Sequence, residues 1–214
     1  MDKYHDFSQL QTFERDGTDY RIRWRIGGSG IAVLSIHGGQ IEPGTSEIAD
    51  AIAGSEHTLY SLEGLKESGN RALHITSTIF DEPAALEIIC RSEIIISVHG
   101  CAVEDALVYL GGLDLELKGR IGESLRGIGI KVLDGTATHF AGSDLTNICN
   151  LCGRGMGVQI ELSRGLRAKM FRNLLQREKR YPTRTFYRII QAVRVVLAPF
   201  IMPAEECVIE GLEH

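Results

Sequence analysis

IAVLSIHGGQIEPGTSEIADAIAG, residues Ile31 to Gly54, changes character twice. It opens on an almost unbroken apolar run, the pattern of a strand buried on both faces of a sheet. The run ends in His37-Gly38-Gly39, and a loop containing Glu42-Pro43-Gly44 follows. Thr45 or Ser46 then offers an N-cap, Glu47 suits the positive end of a helix dipole, and Gly54 is placed to stop the helix. Buried strand, glycine loop and helix together make the opening of a βα unit.

The rest of the chain repeats the alternation. Asp19–Ile26 (DYRIRWRI) alternates polar and apolar residues like an exposed edge strand or a hairpin arm. Segments 58–63, 72–77, 93–99, 130–134 and 158–162 are further strand candidates. Helices are expected over 82–91, where Pro83 sits in the first turn at no hydrogen-bonding cost, over 114–129, and over two basic amphipathic segments, 164–180 and 183–197. The fold class that follows is α/β, a mixed, mainly parallel central sheet with helices on both faces. Ligands of such sheets sit beyond the carboxyl ends of the strands.

With 214 residues, 43% of them hydrophobic, the chain is long enough to bury a substantial core. We expect a single domain over 1–211, with Leu212-Glu213-His214 read as a remnant of an expression tag. No apolar run is long enough to cross a bilayer, and residues 1–10 are too polar for a secretory signal, so a cytoplasmic protein is expected. Five cysteines at scattered positions suggest no disulfide framework. Cys149-x-x-Cys152 lacks a second pair to complete a zinc site and reads as two reduced thiols. The net charge of −5 hides a basic segment, Arg164 to Arg194, with Lys or Arg at ten positions against one acid, Glu178. Such a segment serves as a solvated helical face, a nucleic-acid contact or a polyanion site. Sequence alone favours the solvated face.

Three strand candidates end in groups that bind metals or move protons. His37 closes one, His99 closes another, and Glu161 lies late in a third. Each histidine is followed by glycine, which lets the backbone turn sharply and leaves room for a ligand. Glu42 lies five positions after His37, a spacing that joins them only if the loop folds back; Pro43 favours this by holding Glu42 out of the helical region. Two imidazoles and a carboxylate are a ligand set of open zinc sites, and Glu161 would serve as the proton acceptor for a water attacking an amide. Each residue has a plainer reading as well. A strand-end histidine serves as a hydrogen-bonded structural group, Glu42 as a loop acid near a helix N-terminus, and Glu161 as the partner of Arg164 or Arg167.

Taken together, HGGQIEPGTSEIADAIAG, NRALHITSTIFDEPAALE, IIISVHG and GVQIELSRGLR resemble the poly-γ-glutamate hydrolase family, over about Ile31 to Arg167. That family includes bacteriophage enzymes that cut capsular poly-γ-glutamate, and it is similar in fold to the zinc carboxypeptidases. The resemblance implies one Zn²⁺ held by His37, Glu42 and His99, with Glu161 as general base, although the usual spacing of the first two ligands is shorter. It implies a polyanionic γ-glutamyl polymer or peptide as substrate, and release on lysis if the enzyme is phage-borne. His74 competes with His99 as a ligand, but a substrate-binding role is favoured, with a buried structural histidine as the alternative. Arg71 would hold a substrate carboxylate or the oxyanion, with Asn70 beside it. The basic C-terminal segment acquires a possible purpose in attracting the polymer. Cell-wall γ-D-glutamyl peptides or acyl-amino acids are alternative substrates. A non-enzymatic, replication-related nucleic-acid binder is the rival from another class, and the overall acidity argues against it.

Overall fold

The structure, a computed structural model, describes residues 2–200; Cys207 and residues 212–214, expected to be a tag remnant, lie outside them. Seven strands form one sheet: β1 (Tyr20–Arg25), β2 (Ile31–Gly39), β3 (Thr58–Gly64), β4 (Ile94–Cys101), β5 (Leu107–Gly111), β6 (Lys131–Asp134) and β7 (Val158–Ser163). Their spatial order is β1-β3-β2-β4-β7-β5-β6. The central run β3-β2-β4-β7 is parallel, β5 runs antiparallel to β7 and parallel to β6, and β1 closes the other edge antiparallel to β3. The mixed, mainly parallel sheet expected from the sequence is the sheet observed.

Among the described residues six α-helices cover it: α1 (Phe7–Phe13), α2 (Thr45–Ala53), α3 (Pro83–Cys90), α4 (Leu115–Gly127), α5 (Arg164–Met170) and α6 (Arg184–Leu197). Ile31, Val33, Ile96, Val98, Val158 and Ile160 point to one face, where α2, α4, α5 and α6 supply apolar partners. Ala32, Leu34, Ile36, Tyr60, Leu62 and Ile95 point to the other, against α1 and α3. A fully buried Val, Leu or Ile stabilises the fold by about 1.5–3 kcal/mol relative to exposure, which is why these strands read as continuous apolar runs.

The chain leaves β2 through α2 to reach β3 on one side, then returns through α3 to β4 on the other. Parallel crossovers are right-handed, so reversing the direction of travel puts α2 and α3 on opposite faces. A crevice opens at that reversal, outside the carboxyl ends of β2 and β4. His37 and His99 close those two strands.

Several elements differ from expectation. Segment 72–77 is not a strand: a 3-10 turn over Asn70–Leu73 leads into extended chain, and Leu73 and Ile75 are buried without any sheet partner. The helix expected over 164–180 stops at Met170, where Phe171–Arg172 pairs with Tyr181–Pro182 in a short antiparallel ribbon. Gly44, in the left-handed region at φ +97°, is the N-cap of α2, whereas Thr45 donates its hydroxyl to the Glu42 carbonyl. Strand β5 and helix α1 had no counterpart among the expected elements.

Candidate metal centre and catalytic cleft

Strand pairing sets up half of the site directly. In the β4–β7 register His99 stands opposite Glu161, so the two side chains rise side by side at the carboxyl end of the sheet. His37 arrives by a different route. Between Ser35 and Gly38 strand β2 carries one more residue than its partner between Ser61 and Glu63. An extra residue of this kind re-aims the side chains beyond it. The loop then folds back, with Glu42 N–H donating to the His37 carbonyl at 3.0 Å and Ile41 N–H to that of Gly38.

Three acceptor atoms converge as a result. His37 Nδ1 lies 3.1 Å from His99 Nδ1 and 3.2 Å from Glu42 Oε1, and His99 Nδ1 lies 3.9 Å from Glu42 Oε2. Ligands bound about 2.0–2.1 Å from a tetrahedral ion are themselves about 3.3 Å apart, so the spacing suits one. The remaining nitrogens are fixed from behind. His37 Nε2 donates to the Ile75 carbonyl at 2.8 Å, and His99 Nε2 lies 2.8 Å from Ser97 Oγ. Such outer partners orient imidazole ligands and leave the opposite nitrogen available. Glu42 Oε2 accepts from Gly100 N–H at 2.7 Å. Among the described residues, His37, Glu42 and His99 are the group able to hold a metal ion, and their nitrogen and oxygen donors suit zinc.

The electrostatics are those of buried groups sharing one charge. Burial lowers the pKa of His99 to about 3, helped by the charge on His37. Burial also opposes charge on His37, but the Glu42 carboxylate outweighs it and raises the imidazole above its ordinary value. Burial would raise Glu42; the His37 charge and hydrogen bond prevail and hold it at about 2. Glu161 is pushed well above the usual carboxyl range by burial first and the Glu42 charge second.

An open cleft of about 620 Å³ lies over this cluster. Arg71 and His74 line one wall; Arg71 is exposed and has no ion-pair partner among the described residues. His74 stacks on His37 with ring centres 3.9 Å apart and is not one of the three converging ligands. Its Nδ1 bonds Asp2 Oδ1 at 2.7 Å, and Asp2 Oδ2 accepts from Thr76 N–H and its hydroxyl. Asn70 faces elsewhere. Its amide bonds both the N–H and the carbonyl of Lys66, closing that loop, and it does not line the cleft. The opposite wall is the segment from Thr138 to Asp144, with Asn147 behind it. His139, without any motif around it, is exposed on that wall. The only hint in the sequence was a cluster of Gly, Ser, Thr and Asp between two strands.

Two sequence arguments need correction. The glycine after His99 makes room for protein rather than ligand: a Cβ on Gly100 would meet Arg167 Cζ at 2.6 Å. The buried Arg167 guanidinium donates to the carbonyls of Pro43, Cys101 and Leu162, tying together the chain ends that carry Glu42, His99 and Glu161. Neither Arg164 nor Arg167 is hydrogen-bonded to Glu161, since Arg164 pairs with Glu104. Nor does any Lys or Arg of the 164–194 segment line the cleft, which places the expected polymer-attracting charge elsewhere. In the turn before β7, Asn150 bonds the 142–144 backbone and Arg154 pairs with Asp114.

Comparison with known proteins identifies the fold and the family. The chain superimposes on a structure of a bacteriophage poly-γ-glutamate hydrolase with a TM-score of 0.88, at 32% identity over 94% of this chain and 98% of that one. A structure described as the zinc-free apo form of YndL matches with a TM-score of 0.87, at 37% identity over 92% of this chain and 98% of that one. The fold is thus the zinc-carboxypeptidase-like one that the resemblance implied. UPF0714 protein YndL of Bacillus subtilis (strain 168) is 42% identical over 171 residues, 79% of this chain and 67% of YndL. The profile of the poly-gamma-glutamate hydrolase family matches residues 4–192, and the chain belongs to that family of hydrolases.

Proposed function

We propose that the protein hydrolyses γ-glutamyl amide bonds of poly-γ-glutamate at a single zinc ion held by His37, Glu42 and His99. The observation that carries this reading is the convergence of those three ligand groups beside Glu161, under an open cleft on the sheet's carboxyl edge. Zinc bound there supplies a Lewis acid for the scissile carbonyl and for the attacking water.

The chain's own residues carry the proton and the substrate. Glu161 takes a proton from the water as its oxygen bonds to the carbonyl carbon, and passes it to the nitrogen as the C–N bond breaks. The products are a carboxylate and an amine. Burial favours this role, because a desolvated carboxylate is the stronger base. Arg71, on the cleft wall and without an ion-pair partner among the described residues, binds an α-carboxylate of the polymer. His74, held by Asp2, packs beside His37 and borders the same subsite.

The test is turnover of poly-γ-glutamate by parent and Glu161→Gln protein, each with zinc content measured. The variant should retain zinc and lose about 10²–10⁴-fold in kcat, the range for a positioned general base. An active Glu161→Gln protein, or a parent that cleaves cell-wall γ-D-glutamyl peptides and spares poly-γ-glutamate, overturns the mechanism or the substrate respectively.

A further inference from the structure

The general base needs a fixed direction as well as a basic oxygen. Glu161 projects from β7 with its side chain almost fully buried, and Arg167 nearby spends its donors on backbone carbonyls. Among the described residues one side chain donates to Glu161. Gln159 Nε2, two positions earlier on the same strand and face, lies 3.3 Å from Glu161 Oε1. Its other N–H points to the Phe140 carbonyl at 3.4 Å, and its Oε1 accepts from Asn147 Nδ2 at 3.1 Å.

An amide can be turned end for end, so the direction of these bonds has to be earned from a group that cannot. The Cys149 backbone N–H is such a group. It donates to Asn147 Oδ1 at 3.0 Å, which fixes that oxygen's position and leaves Asn147 Nδ2 facing Gln159. Gln159 must then present its oxygen to Asn147 and its two N–H groups to the Phe140 carbonyl and to Glu161. The carbonyl, which only accepts, imposes the same orientation independently. Both amide residues are about 5% exposed although they border the cleft, so these contacts are largely shielded from water.

We propose that Gln159 is the positioning residue of the general base. Its amide, polarised in one direction by Asn147 and the Cys149 N–H, pins Glu161 Oε1 and leaves Oε2 as the oxygen that exchanges the proton. The Phe140 bond ties the same amide to the far cleft wall, so base and wall are set in one registration. Gln159 does not touch the reacting atoms, and the inference rests on Glu161 being the base.

The experiment uses the zinc-loaded full chain with poly-γ-glutamate, in Gln159→Met, Asn147→Ser and the double variant. Met matches the size of Gln and removes the donor; Ser keeps an acceptor for Cys149 N–H and removes the donor to Gln159. We expect Gln159→Met to lower kcat about 10–100-fold, as a freed catalytic group does, with KM and zinc content within about twofold of the parent. Asn147→Ser should lower kcat by about 3–10-fold, and should add nothing in the Gln159→Met background, because it acts through the amide already removed. A merely structural role predicts the opposite: equal losses in thermal stability, additive effects, and KM moving with kcat. Parental kcat in Gln159→Met, or additivity in the double variant, overturns the proposal. If Gln159→Met does not fold, Asn147→Ser decides alone, and unchanged kcat there overturns it. Glu161→Gln separates the two levels: an active Glu161→Gln removes the base itself, whereas an inactive one beside a fully active Gln159→Met removes only the positioning role.

Discussion

The rim of the cleft and the basic C-terminal segment use charge in opposite ways. At the rim His37, Glu42, His99 and Glu161 are buried or nearly so and crowd together, each perturbing the next. The C-terminal segment carries far more charge and spends much of it within the molecule. Arg164 pairs with Glu104, Arg177 with Glu63, Arg180 with Glu47 and Arg194 with Glu56. Those acids belong to the acidic remainder of the chain. The asymmetry visible in the sequence is therefore that of a clasp closing on its own complement, and a count of charges by itself says little about ligands.

The largest effect should come from breaking the rim. His99→Ala removes one of the three proposed ligands, and purified protein should hold under a tenth of the parental zinc and fall by about 10³-fold or more in turnover of poly-γ-glutamate. Full zinc occupancy in that variant would transfer the ligand role to His74, which already stacks on His37.

Breaking the clasp should cost stability and leave chemistry alone. The Arg180 side chain is 1% exposed and donates to Glu47, Gln40 and the Leu174 carbonyl. Arg180→Met should destabilise by about 2–3 kcal/mol, below a fully buried pair because Glu47 remains partly in water. Arg164→Ala, at an exposed pair, should change stability by less than about 1 kcal/mol. Urea unfolding of both variants distinguishes them; equal losses would mean that burial does not set the strength of the clasp.

A third internal contact extends the comparison away from both regions. Burial would raise Glu14, but Lys66, Tyr4 and Lys3 outweigh it and lower its pKa from 4.5 to about 2. A depressed folded pKa stabilises fully above the unfolded value, and that contribution disappears as pH falls from about 4.5 towards about 2. Glu14→Gln should cost about 1–3 kcal/mol at neutral pH and flatten the acid side of the stability curve between those limits. An unchanged acid limb would show that the contact is not titrating.

The smallest effect separates local from distributed attraction. Arg71→Ala should raise KM for the polymer about tenfold with little change in melting temperature, as loss of one charge-assisted contact implies. Since the basic segment is away from the cleft, raising salt should change KM only about as much as one exposed cation allows. A steep salt dependence surviving in Arg71→Ala would return the C-terminal segment to substrate capture.

The legible part of the molecule was the part where backbone periodicity and chemistry coincide. Strands buried on both faces wrote themselves as apolar runs, so His37, His99 and Glu161 stood out as polar residues at their ends. What escaped depends on register and on contacts distant in sequence. The extra residue in β2 has no composition of its own, and Arg167 read as a candidate partner for Glu161, whereas three carbonyls from three chain segments surround it. Leu73 and Ile75 alternate with polar neighbours as a strand would, because a packed loop can bury every second residue as well as a sheet can. The wall from Thr138 to Asp144 is held by backbone carbonyls, which no side-chain pattern announces.

Asp2 deserves a practical conclusion. Its carboxylate grips His74 and Thr76, two residues of the cleft wall that lie more than seventy positions further along the chain. A change at Asp2 is therefore transmitted to the cleft wall through one carboxylate. Kinetics compared between proteins that differ at Asp2 would then report on the setting of His74 as much as on the chemistry beneath it.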